Sequence, residues 1–141
     1  MPDAAALSLY IETLRDAGSA ARRSALRRLL EASGDRLHID ESPRRAAAGG
    51  PDFVLIRGGQ PVGWVFVTDS PDSHLDRWRD VLPNVLITDC AAFQRTADGA
   101  AVQTAHIGAW HEGRLERARD TESVAALLPR FAGWTATPAA A

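Results

Sequence analysis

The chain has 141 residues, of which 45% are hydrophobic and 24% are charged, and its formal net charge is −2. These values predict one globular domain and argue against an intrinsically disordered chain. The end of the sequence, TATPAAA, predicts a disordered tail or linker over residues 134–141, so the domain is expected to span residues 1–133. No apolar run approaches the roughly 18 residues that a membrane span needs, and the near-neutral charge leaves only a local surface for any contact with nucleic acid.

Two helices begin the predicted fold. In the first, over residues 3–18, Leu7, Ile11 and Leu14 recur at the spacing of one helical face. The second, over residues 19–34, gathers its leucines on one side and places arginines on its flanks and back. We therefore expect the second helix to face the core and to carry a basic outer surface.

The middle of the chain is typical of β-strands. RLHIDE, residues 36–41, alternates apolar and polar residues as a half-buried strand does. DFVLIR and PVGWVFVT are joined at Gly58 and Gly59, where a tight turn needs positive φ, so they predict a β-hairpin. PVGWVFVT is apolar on both faces, which predicts a central strand.

The remaining elements complete an α/β pattern. A short helix is expected over residues 73–82, followed by the fully apolar strand NVLIT. AAFQRT and AVQTAHI flank the turn ADG and predict a second hairpin. A last helix is expected to begin at Thr121, with Pro129 ending it early. This order of elements predicts an α/β domain in which helices flank both faces of a mixed β-sheet.

Two stretches, GGPDFVLIRGGQPVGWVFVTD and LPNVLITDCAAFQRTADG, resemble a known family. It is the restriction-endonuclease-like (PD-(D/E)xK) domain found at the N-terminus of adenine-specific DNA methyltransferases. The resemblance extends from about Leu7 to Phe131. It implies a restriction-endonuclease-like mixed sheet and a bacterial restriction-modification or defence setting.

The catalytic motif of that family is degenerate in this chain. Pro51 and Asp52 match the Pro-Asp pair, but Phe66 stands at the acid and Thr68 at the lysine. In an active member, two carboxylates hold Mg²⁺ and the lysine lies beside the attacking water. A phenyl ring cannot ligate a hard cation, and the chain contains no lysine at all. The resemblance therefore implies a catalytically inactive nuclease fold with no metal and no cofactor.

A divergent active site remains an alternative interpretation. Asp52 could bind a divalent ion together with an acid from elsewhere, for which Glu12, Glu31 and Asp72 are candidates. Arginine cannot replace the missing lysine as a base, because it is permanently protonated. A lone Asp after Pro at a strand start is more typical of a turn cap than of a metal ligand.

The emptied cleft and the length of the chain each permit a further interpretation. The cleft, expected to be lined by Phe66 and Trp64, could bind a small apolar ligand. The chain could instead be the first domain of a longer methyltransferase, with the tail as the beginning of a linker.

Candidate DNA contacts come from the arginine-rich stretch between residues 15 and 45. Arginine pairs with phosphate through two parallel hydrogen bonds. The best candidates are Arg44 and Arg45, beside a Gly-rich loop, and Arg23 and Arg27 on the second helix. A solvated helix face, diluted by nearby acids, is the competing interpretation. The expected partners are thus DNA, a methyltransferase subunit or a second copy of the chain.

The remaining reactive residues indicate no further chemistry. Cys90 is the only cysteine, so it cannot form an internal disulfide, and we expect it to be buried. The four histidines do not have the spacing of metal ligands and are expected on the surface. The N-terminus lacks the pattern of a secretory signal, so we expect a cytoplasmic location.

Overall fold

The computed structural model describes residues 4–15, 19–34, 36–41, 50–68, 82–97, 100–112, 114–117 and 122–134. Helices α1 and α2 span Ala4–Arg15 and Ser19–Glu31, within the two ranges predicted for them. α2 ends in a tight turn, in which the Ser33 backbone N–H donates to the Leu30 carbonyl at 3.0 Å. None of the described helices has the length and hydropathy that crossing a membrane requires.

Six strands form one mixed sheet in the order β1-β2-β3-β4-β5-β6. Neighbouring strands are antiparallel except for β3 and β4, which are parallel, with Phe66 opposite Ile87. The predicted central position of β3 and the predicted apolar strand β4 are confirmed. The strands span His38–Glu41 (β1), Phe53–Arg57 (β2), Gln60–Val67 (β3), Asn84–Thr88 (β4), Ala92–Ala97 (β5) and Ala100–His106 (β6).

The two predicted hairpins are present. Gly58 and Gly59 join β2 to β3 with φ values of 59° and 79°, the left-handed region that glycine adopts without strain. In the second hairpin the register shifts, because Arg95 pairs with Gln103 while the next residue of β5 pairs with Ala101. Val102 is therefore an extra residue in β6, as in a β-bulge.

Hydrophobic side chains form two clusters on the two faces of the sheet. Side chains of neighbouring strand positions point to opposite faces, so Val65 lies in the larger cluster and Phe66 in the smaller one. All the described helices, including α3 at Glu122–Ala132, contribute to the larger cluster. The helix expected on the other face, over residues 73–82, falls in a part of the chain that the structure does not describe, apart from Leu82.

The expectation that Pro129 ends the last helix early is wrong. α3 continues through Pro129 to Ala132. Its last turn is held from outside the helix, because the buried Asn84 side chain donates to the Phe131 carbonyl at 2.9 Å and Arg57 donates to the Ala132 carbonyl. These tertiary contacts satisfy carbonyls at the C-terminal end of α3 and anchor the turn that follows Pro129.

A second, two-stranded sheet was not predicted from the sequence. β7 spans Gly108–His111 and β8 spans Arg114–Arg117, with Trp110 opposite Leu115. Leu115 is part of the larger hydrophobic cluster, and Trp110 packs against it. The small sheet therefore closes one side of the core.

The first residue of the segment predicted to be a disordered tail packs against the hydrophobic core. This residue, Trp134, is half-buried against the larger cluster, and its backbone N–H donates to the Phe131 carbonyl at 3.3 Å. Residues 135–141 are outside the described ranges. The division between a domain and a tail remains a prediction.

Candidate functional site

Asp52, the carboxylate that matches the nuclease motif, is part of the sheet's hydrogen-bond ladder. Its backbone N–H donates to the Val65 carbonyl at 2.8 Å. Its side-chain Oδ2 accepts a hydrogen bond from the Val67 backbone N–H at 2.7 Å. The carboxylate thus continues the pairing of β2 with β3 beyond the N-terminal end of β2.

The second oxygen of Asp52 is bound by a cation from α2. Arg23 Nη1 donates to Asp52 Oδ1 at 2.5 Å, and the Asp52 side chain is only 10% exposed. The same guanidinium lies 3.6 Å from the Glu41 carboxylate and stacks 5.5 Å from the centre of the Phe53 ring. Arg23 therefore supplies a fixed positive charge at the carboxylate where a nuclease would bind a metal ion.

The other two motif positions make contacts with β4. Phe66 is 3% exposed and fills the smaller hydrophobic cluster with Val85 and Ile87. Asp52 is instead bonded to Arg23, which packs over a phenyl ring of the larger cluster. Thr68 follows β3, and its backbone N–H donates to the Thr88 carbonyl at 2.9 Å.

No replacement metal site is formed by the described residues. Glu31, one candidate acid, accepts a hydrogen bond from Arg27 Nε at 3.2 Å. Glu12 is exposed on α1, and Asp72 falls in a stretch that the structure leaves undescribed. Within the described ranges, no group of three or more His, Cys, Asp or Glu side chains is arranged to hold a metal ion.

The predicted DNA contacts on α2 have internal partners. Besides Glu31, Arg27 contacts Glu41 at 3.4 Å and donates to the Ile39 carbonyl at 3.1 Å. Arg23 and Arg27 thus tie α2 to the edge of the sheet. Arg44 and Arg45 lie outside the described ranges. The prediction that these four arginines bind DNA remains a prediction.

The connection from β4 to β5 is a rigid loop built by the Thr-Asp of the LPNVLITD motif. Asp89 Oδ1 accepts the backbone N–H groups of Ala91 at 2.8 Å and of Ala92 at 2.7 Å. The Thr88 hydroxyl accepts from the Cys90 N–H at 2.9 Å and donates to the Ala92 carbonyl at 2.6 Å. These bonds hold Cys90 at a φ of 79°.

Three side chains from other elements support this loop. The Tyr10 hydroxyl donates to the Cys90 carbonyl at 2.6 Å, and Trp110 Nε1 donates to the Asp89 carbonyl at 2.9 Å. The Arg22 guanidinium stacks on Trp110 at 3.8 Å from the ring centre.

Burial raises the pKa of the Cys90 thiol from 9.0 to about 11, so the thiol is neutral and unreactive near pH 7. Cys90 is buried, as predicted.

A cavity of about 400 Å³ opens beside Thr68, where the parallel strands β3 and β4 end. It is not the cleft that the sequence predicted, because neither Phe66 nor Trp64 is among its described lining residues. The lining is mainly apolar, and its polar side chains are those of Thr68, Thr88, Asp89, Gln94, Thr104 and His106.

Neither the Arg23–Asp52 pair nor the cavity at Asp89 was predicted from the sequence. Arg23 and Asp52 are 29 residues apart, and nothing in a helix pattern identifies which strand end an arginine will reach. Asp89 could have been noticed, because Thr-Asp at the end of a buried strand places polar groups at the edge of a sheet where ligands bind.

Comparison with known proteins supports the fold. No protein-family model matches the chain, and no curated protein matches it. A solved structure titled as the cryo-EM structure of a DrdV–DNA complex matches 94% of the chain with a TM-score of 0.61 and 20% sequence identity. The chain spans 14% of the length of that protein. The two share a fold, and the mixed six-stranded sheet is consistent with the restriction-endonuclease-like α/β fold predicted from the motifs.

Proposed function

We propose that this chain is a nuclease-fold domain that does not cleave DNA and acts as a binding module in a bacterial restriction-modification or defence setting. The observation that carries the proposal is the state of Asp52, whose two oxygens are bound by Arg23 and by the Val67 N–H. In this proposal Asp52, the remaining carboxylate of the motif, stabilises the fold.

The chemistry of the neighbouring positions supports the loss of cleavage. A divalent ion at Asp52 would have to displace the Arg23 guanidinium at 2.5 Å, and Phe66, which packs with Val85 and Ile87, offers it no second carboxylate. Nothing in the chain supplies the lysine that the motif lacks at Thr68.

DNA is the partner that the comparisons favour, because the solved structure of similar fold is a DNA complex. The chain's net charge of −2 requires that any such contact be local. The Arg44–Arg45 pair is the proposed contact, since Arg23 and Arg27 bind carboxylates within the domain. A methyltransferase subunit or a second copy of the chain would be the partner for assembly.

Two measurements test this proposal. Plasmid incubated with the protein and Mg²⁺ or Mn²⁺ should stay intact, whereas cleavage that Asp52→Ala abolishes would show a divergent nuclease.

Fluorescence anisotropy should detect binding to duplex DNA. Arg44→Ala/Arg45→Ala should weaken this binding at least about five-fold and should reduce the slope of log affinity against log salt concentration by about 2. Arg130→Ala, which removes an exposed arginine on α3, is the control and should change neither value. Absence of duplex binding at low salt would overturn the DNA form of the proposal.

A further inference from the structure

The cavity beside Thr68 has the position of a ligand site. In open α/β sheets, small molecules bind beyond the carboxyl ends of parallel strands. β3 and β4 are the parallel pair of this sheet; Thr88 is the last residue of β4, and Thr68 and Asp89 directly follow β3 and β4. All three residues line the cavity.

Its size and lining are also those of a small-molecule site. A volume of about 400 Å³ falls in the range of about 300–1,000 Å³ typical of such pockets. Ile87 and Phe93 contribute apolar surface, together with small residues such as Ala92 and Ala105. A guest would therefore gain most of its affinity from the burial of apolar surface.

The charged and polar groups of the lining restrict the class of ligand. Asp89 uses Oδ1 for two backbone N–H groups, and no hydrogen bond to its Oδ2 is found within the described part of the chain. His106 is exposed at the rim, and no arginine is among the described lining residues. An anion would meet the Asp89 carboxylate without an arginine among the described lining residues to oppose it, whereas a hydrogen-bond donor or an ammonium group would be accepted.

We propose that this cavity binds a small, largely apolar molecule that carries an amine or another hydrogen-bond donor, held by Asp89, and that it rejects phosphates and carboxylates. This proposal does not depend on the DNA contact proposed for the Arg44–Arg45 pair. A ligand bound in the cavity would contact the β4–β5 loop and the end of β3 together, and so would stabilise the carboxyl ends of these two central strands.

Three probes that share one ring test the charge preference: phenethylamine, phenylacetate and phenyl phosphate. Phenethylamine should bind with a Kd of about 1 mM, as expected for so few atoms. In amide NMR spectra it should shift the resonances of residues lining the cavity. The two anions should bind at least ten-fold more weakly.

Two variants identify the site. Asp89→Asn keeps an oxygen for the Ala91 and Ala92 N–H groups but removes the charge, so it should weaken phenethylamine binding at least five-fold while the fold is retained. Ala92→Phe should fill the cavity and abolish binding. Ala126→Phe adds the same ring to an exposed position on α3 and should leave the affinity unchanged.

The proposal is overturned if phenethylamine shifts no cavity resonance at millimolar concentration, or if phenyl phosphate binds as tightly. Equal binding by the wild type, Asp89→Asn and Ala92→Phe would also overturn it. Loss of DNA binding alone would contradict only the proposed function.

Discussion

Arg23 Nη1 donates to Asp52 Oδ1 at 2.5 Å, joining α2 to the N-terminal end of β2 across 29 residues of sequence. Both side chains are largely withdrawn from water, with exposed fractions of 29% and 10%. A buried carboxylate that loses its cation stays poorly solvated, so removing one partner of the pair destabilises the folded state. We therefore expect Arg23 and Asp52 to stabilise the fold.

Arg23→Ala is expected to lower the free energy of unfolding by about 2–3 kcal/mol, because it leaves the buried Asp52 carboxylate without a cation. Urea denaturation measures the change. Arg28→Ala, on the exposed side of the same helix, should change stability by less than about 0.5 kcal/mol. If the two variants are equally stable, the ion pair contributes nothing to the fold.

Phe66→Glu is expected to cost about 3 kcal/mol or more, because it places a carboxylate in the cluster of Val85 and Ile87. Phe66→Leu, which keeps the cluster apolar, should cost about 1 kcal/mol.

We expect no Mn²⁺-dependent cleavage from Phe66→Glu/Thr68→Lys, because Arg23 still binds Asp52. A plasmid assay that finds cleavage by this double variant would show that the three motif positions still form one site.

Gly63→Ala is expected to destabilise the contact between β3 and α3. A Cβ at this position would lie 2.7 Å from Cζ of Phe131, which is fully buried. The strain should cost about 1–3 kcal/mol, and Phe131→Leu should relieve part of it. In a double-mutant cycle measured by thermal unfolding, the combined loss should therefore be smaller than the sum of the single losses. An additive result would show that the ring moves aside freely.

The stability of the domain is expected to fall steeply above pH 9. Below that pH the Cys90 thiol is protonated in both the folded and the unfolded chain. Burial raises its folded pKa from 9.0 to about 11, so between these values only the unfolded chain loses the proton and stability decreases as pH rises. The loss should reach about 2–3 kcal/mol.

Burial also raises the pKa of the Tyr10 hydroxyl well above 10.0, which extends the loss to higher pH. The chain contains no lysine, one cysteine and one tyrosine, so few other side chains titrate in this range. Cys90→Ala should flatten the part of the profile near pH 9–11, and Tyr10→Phe should flatten the part from about pH 10 upward. Thiolate absorbance that appears in the native protein near pH 9 would contradict this account.

Local patterns predicted most of the fold, because α1 and α2 each bury one periodic apolar face and the central strands β3 and β4 are apolar on both faces. The β7–β8 sheet escaped prediction because its hydrophobic content is one tryptophan and one leucine, Trp110 and Leu115, whose partners lie in other elements. The course of α3 past Pro129 depended likewise on distant groups, the Asn84 amide and the Arg57 guanidinium.

The candidate site was predicted in part. Asp52, Phe66 and Thr68 were singled out because the resemblance implies which residue types an active site would carry at those positions. The bond from Arg23 to the remaining carboxylate and the position of the cavity at Asp89 could not be predicted, because both depend on how elements distant in sequence pack together.

The two outer strands of the six-stranded sheet limit how the domain can associate. β1 has only four residues, two of which are Asp40 and Glu41. The Ile39 carbonyl of β1 already accepts a hydrogen bond from Arg27. In β6 the register shift at Val102 interrupts the regular spacing of backbone groups. Short, charged or bulged edges recruit further strands poorly. The domain is therefore protected against aggregation by strand addition, and any specific partner is expected to dock through side-chain surfaces.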